Sequence, residues 1–515
     1  MVDPHLPLDP EGLVAERDTA LAERDSAVAE RDAALARVTT LEKQVESLSA
    51  TLTTAMNRLT DLEARFKTNS GNSSKPPSSD MPGVKRRPQK AKGTKAGGQE
   101  GHEGKTFQPF TAEAVAETRP MMPAACGACG TPFGPDAAPV GAPIIFQAVE
   151  LPPITPFVIE YQRFAACCAN CDGHTRASLP DGVGPSPFGP RLCAVVAVWA
   201  IKFHLSRRQI QALLHSLYGM AISTGAVQAI IERAAEACEP AVKDLQAAIQ
   251  KAAVVNADET GAAHQGGGAK KKRHWLWVAA TVFGAIYVVA ADRGTEALDK
   301  LLGKDFKGVV GCDRWRPYES LYGEKRQLCW AHLGREGQSA IDRAEVMLKS
   351  KDEAVRARSE ALLAWGKAFL GLYDVMFKSW HRFKDGGMCR KGLIGAMVSH
   401  KVAFFKHLQA GALLADKKVA RTCRDLMRQW KVLWTFVTVA GVEPTNNEAE
   451  RALRQPVLLR KKSQGTRSEK GKKTLGTLLS VVETCRRQAR SIIDYIEVAI
   501  QNHRAGLPPP SLVPA

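Results

Sequence analysis

The order of apolar runs between residues 252 and 330 constrains the fold more than any other feature of this chain. Val254-Val255-Asn256-Ala257 reads as a strand ending in Asp258. The uncharged run from Trp275 to Ala291 is slightly short of the roughly 20 residues that a membrane span needs. It is rich in Val, Trp, Phe and Tyr with Gly284 near its midpoint, so it reads as a hairpin. A helix is expected from about Thr295, and Gly308-Val309-Val310-Gly311-Cys312 reads as another strand, ending in Asp313. Three strands, a helix and a fourth strand fit a ribonuclease-H-like sheet, in which aspartates at the ends of neighbouring strands converge at one edge.

A third carboxylate is expected on Thr445-Asn446-Asn447-Glu448-Ala449-Glu450-Arg451-Ala452-Leu453-Arg454, where Glu450 falls on the first turns of a helix. Phosphodiester cleavage needs an acidified nucleophile, a clamp on the non-bridging oxygens and a stabilised leaving oxygen. Two hard cations held by carboxylates supply all three, and Asp and Glu oxygens suit Mg²⁺ better than Cys or His would. Asp258, Asp313 and Glu450 are therefore the candidate catalytic residues and the candidate ligands of two Mg²⁺ ions. Each has a plainer use, the aspartates as turn residues and Glu450 as the capping-box partner of Asn447.

The net charge of +18 points to a polyanionic partner. Residues 10–67 carry the seven-residue repeat Ala-Glu-Arg-Asp at Ala15, Ala22 and Ala29, with Val14, Leu21, Val28 and Leu35 in step. Val38, Val45, Leu52 and Leu59, joined by Leu41, Leu48 and Leu62, continue the seam in a new register, which predicts a coiled coil and a homo-oligomer. Residues 68–110 have linker composition with the basic run Lys85 to Lys92. Within 111–180, Cys126-Gly-Ala-Cys129 and Cys168-Ala-Asn-Cys171 bracket two expected strands, Ile144 to Leu151 and Phe157 to Phe164. Paired knuckles of this kind supply four thiolates for a structural Zn²⁺, the zinc-ribbon pattern, with Cys167 and His174 as replacement ligands. The remaining cysteines, Cys312 and Cys329 among them, read mostly as small core residues.

A helix-turn-helix is expected within 188–245, with Gly219 in the turn and Ser223 capping the second helix. Arg207, Arg208, Thr224 and Gln228 are its candidate DNA contacts. The catalytic core would then occupy 250–330, a helical insertion 331–440 and a C-terminal helical part of the core 441–505. The fold class is thus an α/β core preceded by a coiled coil, a zinc ribbon and a helix-turn-helix. The first forty residues contain no apolar signal segment, so a cytoplasmic, nucleoid-associated protein with no membrane partner is expected.

Over nearly its whole length the chain resembles the insertion-sequence-66 family of DDE transposases. The resemblance lies in Asn72-Ser73-Ser74-Lys75-Pro76-Pro77-Ser78, Gly97-Gly98-Gln99-Glu100-Gly101-His102, the two CxxC pairs, Ala257-Asp258-Glu259-Thr260 and Cys312-Asp313 leading to Tyr318. It continues through Cys329-Trp330-Ala331-His332-Leu333-Gly334-Arg335, Asn446 to Arg454 and Arg460-Lys461-Lys462. It implies a bacterial enzyme that binds the terminal repeats of its own element, cuts DNA there and joins the 3′-OH to target DNA, with accessory proteins of the element as possible partners. The family triad falls on Asp258, Asp313 and Glu450; His332, Arg335, Arg451, Arg454, Arg460, Lys461 and Lys462 become further candidate DNA contacts. Ser463-Gln464-Gly465-Thr466 departs from the aromatic-containing continuation of many relatives. Two rival functions fit the same parts: a DNA-binding regulator without strand chemistry, and a general metal-dependent nuclease.

Overall fold

A computed structural model of the protein describes residues 10–66, 108–184, 186–264, 272–463 and 465–514. Residues 68–107 of the expected linker, with both of their family-like motifs, and Gln464 lie outside the described residues. In chain order the elements are α1 (Pro10–Phe66), β1 (Ala165–Cys167), β2 (His174–Arg176), α2 (Pro190–Ile201), α3 (Arg207–Tyr218), α4 (Thr224–Ile249), β3 (Val254–His264), β4 (Lys272–Ala280) and β5 (Ala285–Ala290). There follow α5 (Thr295–Leu302), β6 (Val309–Cys312), α6 (Arg316–Tyr322), β7 (Arg326–Leu328), α7 (Trp330–Met347), α8 (Glu353–Lys384), α9 (Arg390–Ala412) and α10 (Lys417–Arg428). A short α11 (Thr435–Thr438), then α12 (Asn447–Lys462), α13 (Glu469–Arg487) and α14 (Ile492–Arg504) complete the chain. Among the described residues no helix is long and apolar enough to cross a membrane.

The chain divides into two compact units, the first comprising Met1–Val84, Lys251–Asp258 and Lys304–Glu450, the second Lys85–Gln250, Glu259–Gly303 and Arg451–Ala515. Strands β3 to β7 follow the order β5-β4-β3-β6-β7, and β3 contributes residues to both units.

In the first unit α1 is one continuous helix, as the heptads require, and Val38, Leu41, Val45, Leu48, Leu52 and Leu59 of its seam are exposed. The opening half of β3 pairs in parallel with β6, setting Val254 opposite Val309, Val255 opposite Val310 and Asn256 opposite Gly311. A side chain at Gly311 would bring its Cβ within 2.4 Å of Asn256 Oδ1, so this close approach depends on glycine. Strand β6 pairs in parallel with β7, which the sequence pattern does not announce: it is three residues long and starts with an arginine. Arg326 is buried there because its Nε donates to the Gly323 carbonyl (2.7 Å) and Nη2 to Gln429 Oε1 (3.0 Å). Helices α7 to α10 pack around an aromatic core. Trp330, wholly buried, packs against Phe404 (5.1 Å between centroids) and Trp434 (5.0 Å), and its Nε1 donates to the Leu433 carbonyl (2.8 Å).

In the second unit β4 and β5 form the expected antiparallel hairpin, closed by Thr281 N–H donating to the Gly284 carbonyl (2.8 Å). The open edge of β5 is covered by α13: Tyr287 N–H donates to Ser480 Oγ (3.0 Å) and Ala285 N–H to Thr484 Oγ1 (3.1 Å). Ser206 and Gln209 make a reciprocal capping box at the start of α3. Gly219 ends that helix in the left-handed region (φ 65°), and Ser223 Oγ caps α4 by accepting the Ala226 N–H (3.1 Å).

The region 108–184 departs from expectation. The segments Ile144 to Leu151 and Phe157 to Phe164 form no strand, and Ile144, Phe146, Phe157 and Val158 are exposed. Strand-like composition needs a partner strand and a covered face to become a strand. Here the only ladder is β1 with β2, between and beside the cysteines.

Candidate active site

The register of β3 and β6 bears directly on the carboxylates. The pairing ends at Asn256 and Gly311, and the same offset carried two residues further would bring Asp258 level with Asp313. Asp313 lies just past the end of β6, whereas β3 does not end at Asp258 as expected but runs on to His264. Strand neighbours stand about 4.8 Å apart along the hydrogen-bonding direction, and paired residues share a face. Asp313 Oδ1 accepts the N–H of Trp315 (2.8 Å), so one oxygen also starts the turn into α6.

Glu450 arrives on the first turn of α12 and is fixed by hydrogen bonds among four separate segments of the first unit. Its N–H donates to the Asn446 carbonyl (3.1 Å). Asn446, fully buried, donates from Nδ2 to the Ala257 carbonyl (2.8 Å), one residue before Asp258. The Asn446 N–H donates to Cys329 Sγ (3.2 Å), and the Cys329 N–H to the Cys312 carbonyl (2.9 Å), one residue before Asp313. Trp330 N–H donates to the Pro444 carbonyl (2.9 Å). The segments bearing all three carboxylates are thus cross-linked one or a few residues from each. Buried hydrogen bonds of this kind hold position, because breaking one leaves a desolvated partner unpaired.

The Glu450 side chain faces α7 rather than closing a capping box. Arg335 Nη2 donates to Glu450 Oε1 (3.2 Å), and His332 Nδ1 stands 3.6 Å from the same oxygen, beyond hydrogen-bond reach. Burial, with help from Arg335 and Arg314, holds His332 down at about 3, so the imidazole is neutral and the contact is not an ion pair. Cys329, at the N-cap of α7, has its thiol pushed up to about 11 by burial. The donor atoms of Cys329, His332 and Glu450 all lie within 4.8 Å of one another. Among the described residues this is the one such group of three potential ligands; Asp258 and Asp313 are not in it.

The knuckle cysteines form two matching turns. Gly130 N–H donates to the Cys126 carbonyl (2.9 Å) and Asp172 N–H to the Cys168 carbonyl (2.9 Å); Cys126 N–H donates to the Thr131 carbonyl (2.9 Å) and Cys168 N–H to the Gly173 carbonyl (2.9 Å). A hydrogen bond with the Thr131 hydroxyl, first among several, lowers the Cys129 thiol to about 7. Backbone N–H groups, that of Asn170 foremost, lower the Cys168 thiol. One thiol of each pair, Cys129 and Cys168, is thus moved toward the thiolate form that a zinc ligand takes. The four sulfurs do not converge on one point as a close group. Cys167 and His174 face each other across β1 and β2, exposed.

The candidate DNA contacts divide. Arg208, Thr224, Arg451, Arg454, Lys461 and Lys462 are exposed. Arg208, Gln211, His215, Met220, Ile222 and Ser223 line a cavity of about 680 Å³ at the α3–α4 turn. Arg207 is half-buried, and its Nε donates to Gln228 Oε1 (2.9 Å), so those two side chains are engaged with each other. Arg460 Nη1 donates to Thr260 Oγ1 (3.0 Å) and the Gly261 carbonyl (2.6 Å). The unusual loop that follows docks on the end of β3: Thr466 N–H donates to the Ala263 carbonyl (3.2 Å), and Thr466 Oγ1 lies 3.0 Å from His264 Nδ1.

Sequence reasoning passed over two residues of this site. Asn446 lies in the polar stretch Thr445-Asn446-Asn447-Glu448, where nothing local sets it apart from Asn447 as the buried amide. Cys329 is buried, as expected of a small core residue, and its added role of accepting the Asn446 N–H has no local signal.

A family model described as Transposase IS66 family matches residues 185–474, more than half of the chain, and a model of a family of unknown function matches residues 23–108. Two uncharacterized proteins of Sinorhizobium fredii (strain NBRC 101917 / NGR234) are similar to it. One, y4qI, is 23% identical over 284 residues, 47% of this chain and 46% of its own length; the other, y4hP, is 23% identical over 389 residues, 71% of this chain and 68% of its own. The chain thus spans less than half of the first relative's length. On the family match, the chain belongs to the transposase IS66 family.

Proposed function

We propose that the chain is a DNA transposase that binds the terminal repeats of its own element, cuts the DNA there and transfers the freed 3′-OH to target DNA. What supports this reading is the parallel pairing of β3 with β6, whose offset carried on by two residues would bring Asp258 level with Asp313, together with the hydrogen bond by which Asn446 ties β3 to the helix that bears Glu450. Three carboxylates offer only hard oxygen donors, and that set fits Mg²⁺. When bound, two such ions would acidify the attacking hydroxyl or water and stabilise the charge on the phosphate and leaving oxygen.

The chain's own residues would do the rest. Asp258, Asp313 and Glu450 hold the ions, and Asn446 sets the spacing between strand and helix. Arg335 pairs with Glu450 until the ions are in place. Water and then the 3′-OH serve as successive nucleophiles, so no covalent protein–DNA intermediate forms. Exposed Arg451, Arg454, Lys461 and Lys462 on α12 are suited to phosphate, and Arg208 and Thr224 at the α3–α4 turn to DNA end recognition. Cys126, Cys129, Cys168 and Cys171 would hold a structural Zn²⁺, which requires the two knuckles to close on each other. The bare seam of α1 would pair with a second copy. The sheet order and the helical insertion between Asp313 and Glu450 support a ribonuclease-H-like core.

The deciding experiment incubates the protein, Mg²⁺ and a duplex carrying the element's end, with and without the element's accessory proteins, and resolves cleaved and joined strands. A transposase cuts at the end and yields strand-transfer product. Binding without any cutting would favour a regulator, and cutting without end specificity or joining would favour a general nuclease.

A further inference from the structure

The Cys329, His332 and Glu450 cluster has a donor set unlike that of a Mg²⁺ site. It joins one sulfur, one imidazole nitrogen and one carboxylate oxygen, a combination that suits Zn²⁺ and its borderline neighbours and not Mg²⁺, which prefers oxygen throughout. Ligands around a tetrahedral Zn²⁺ stand roughly 3.5 Å apart, given metal–ligand distances near 2.0–2.3 Å. The donor atoms here already lie within 4.8 Å of one another, so side-chain adjustment alone closes the set.

Three further features point the same way. Cys329 and His332 sit at the N-cap and on the first turn of α7, three residues apart on one helix end, and Cys329 Sγ already accepts the Asn446 N–H. His332 Nδ1 is buried without a hydrogen-bond partner and stands 3.6 Å from the Glu450 carboxylate oxygen. Arg335, whose Nε is likewise buried and unpartnered, supplies the positive charge that the carboxylate otherwise lacks. A bound cation would take over that role.

We propose that Cys329, His332 and Glu450 form a three-ligand site for a zinc-class divalent ion, and that filling it withdraws Glu450 from Asp258 and Asp313 and so turns strand cleavage down. Binding releases the Cys329 thiol proton to solvent and leaves a fourth position for water. The binding half stands on the cluster geometry. The inhibitory half rests on the transposase reading of Glu450.

Co²⁺ titrated into full-length protein carrying one equivalent of Zn²⁺, which the four-thiolate knuckles take up first, tests the first half, because a thiolate bound to Co²⁺ gives a charge-transfer absorption that oxygen and nitrogen ligands do not. One equivalent with a single-thiolate band is expected; Cys329→Ser abolishes the band, and His332→Gln weakens binding at least about tenfold, with circular dichroism confirming that both variants fold. No band in the intact protein, or an undiminished band in folded Cys329→Ser, overturns the site. For the second half, Zn²⁺ is titrated into Mg²⁺-dependent end cleavage, and half-inhibition should need at least about tenfold more Zn²⁺ in Cys329→Ser, each protein compared with its own zinc-free rate. Equal sensitivity overturns the inhibitory role while the Co²⁺ result stands. If the intact protein cleaves nothing, the transposase reading fails, and the Co²⁺ titration still decides the site.

Discussion

The carboxylate-bearing core of the first unit and the knuckle region 108–184 are held by opposite means. Around Asp258, Asp313 and Glu450 the chain supplies its own ties: Asn446 and Cys329 link four segments, and Trp330 anchors the start of α7 in an aromatic core. In the knuckle region the two cysteine turns are well formed, yet Ile144, Phe146, Phe157 and Val158 lie open and the one ladder pairs three residues with three. A segment that buries so little apolar surface does not repay the entropy of ordering it. The difference teaches that the first region carries its own fixings, while the second would, on the zinc reading proposed above, draw its cohesion from a bound ion.

The largest expected effect removes that ligand. Treating the protein with a strong zinc chelator, or introducing Cys126→Ser with Cys168→Ser, should make residues 108–184 fully open to limited proteolysis while residues 304–450 stay protected; equal protection with and without zinc breaks the comparison. In the other region Trp330→Ala should cost about 3–5 kcal/mol in urea unfolding, the usual loss for an aromatic in a packed core, and leave zinc content unchanged. Next comes Asn446→Ala, expected to cost about 1–3 kcal/mol through the unpaired Ala257 carbonyl. The same change should lower end cleavage about a hundredfold, since a small displacement of a reacting group has that scale of effect. Stability loss with unimpaired cleavage would reduce Asn446 to a structural tie.

The smallest effect concerns pH. His400 and His407 of the insertion core are held below the ordinary imidazole value, His400 by burial and His407 by burial offset in part by its bond to the Trp365 carbonyl. Below about pH 6.5 the unfolded chain takes up protons that the folded chain refuses, so stability is full above that range and falls as pH drops. The urea midpoint of the insertion should therefore decline between pH 7 and pH 5, and less so in His400→Phe with His407→Gln. A midpoint independent of pH would mean that these imidazoles titrate normally.

What the sequence disclosed was local. The start of the strand that carries Asp258, the hairpin turn at Gly284, the helix from Thr295 and the cap Ser223 each follow from residues a few positions apart, and each is found, although the strand runs on to His264 instead of ending at Asp258. Strand β7 was hidden because its three residues become a strand only by pairing with β6. The strands expected at 144–151 and 157–164 failed for the converse reason, strand composition without a neighbour. The candidate site was legible in its carboxylates and not in its fixings. Asn446 meets Ala257 and Cys329 across long stretches of chain, and Arg207 turns inward to Gln228 on another helix.

The central claim is that Asp258, Asp313 and Glu450 act as one site. The most direct test measures Mg²⁺-dependent cleavage of the element's end by Asp258→Asn, Asp313→Asn and the double variant, with DNA binding measured beside it. Residues acting as a unit should give single variants that each lose about a thousandfold or more, a double variant no worse than either, and unchanged binding. Cleavage by Asp258→Asn equal to that of the intact protein, or losses that multiply in the double variant, would contradict the account.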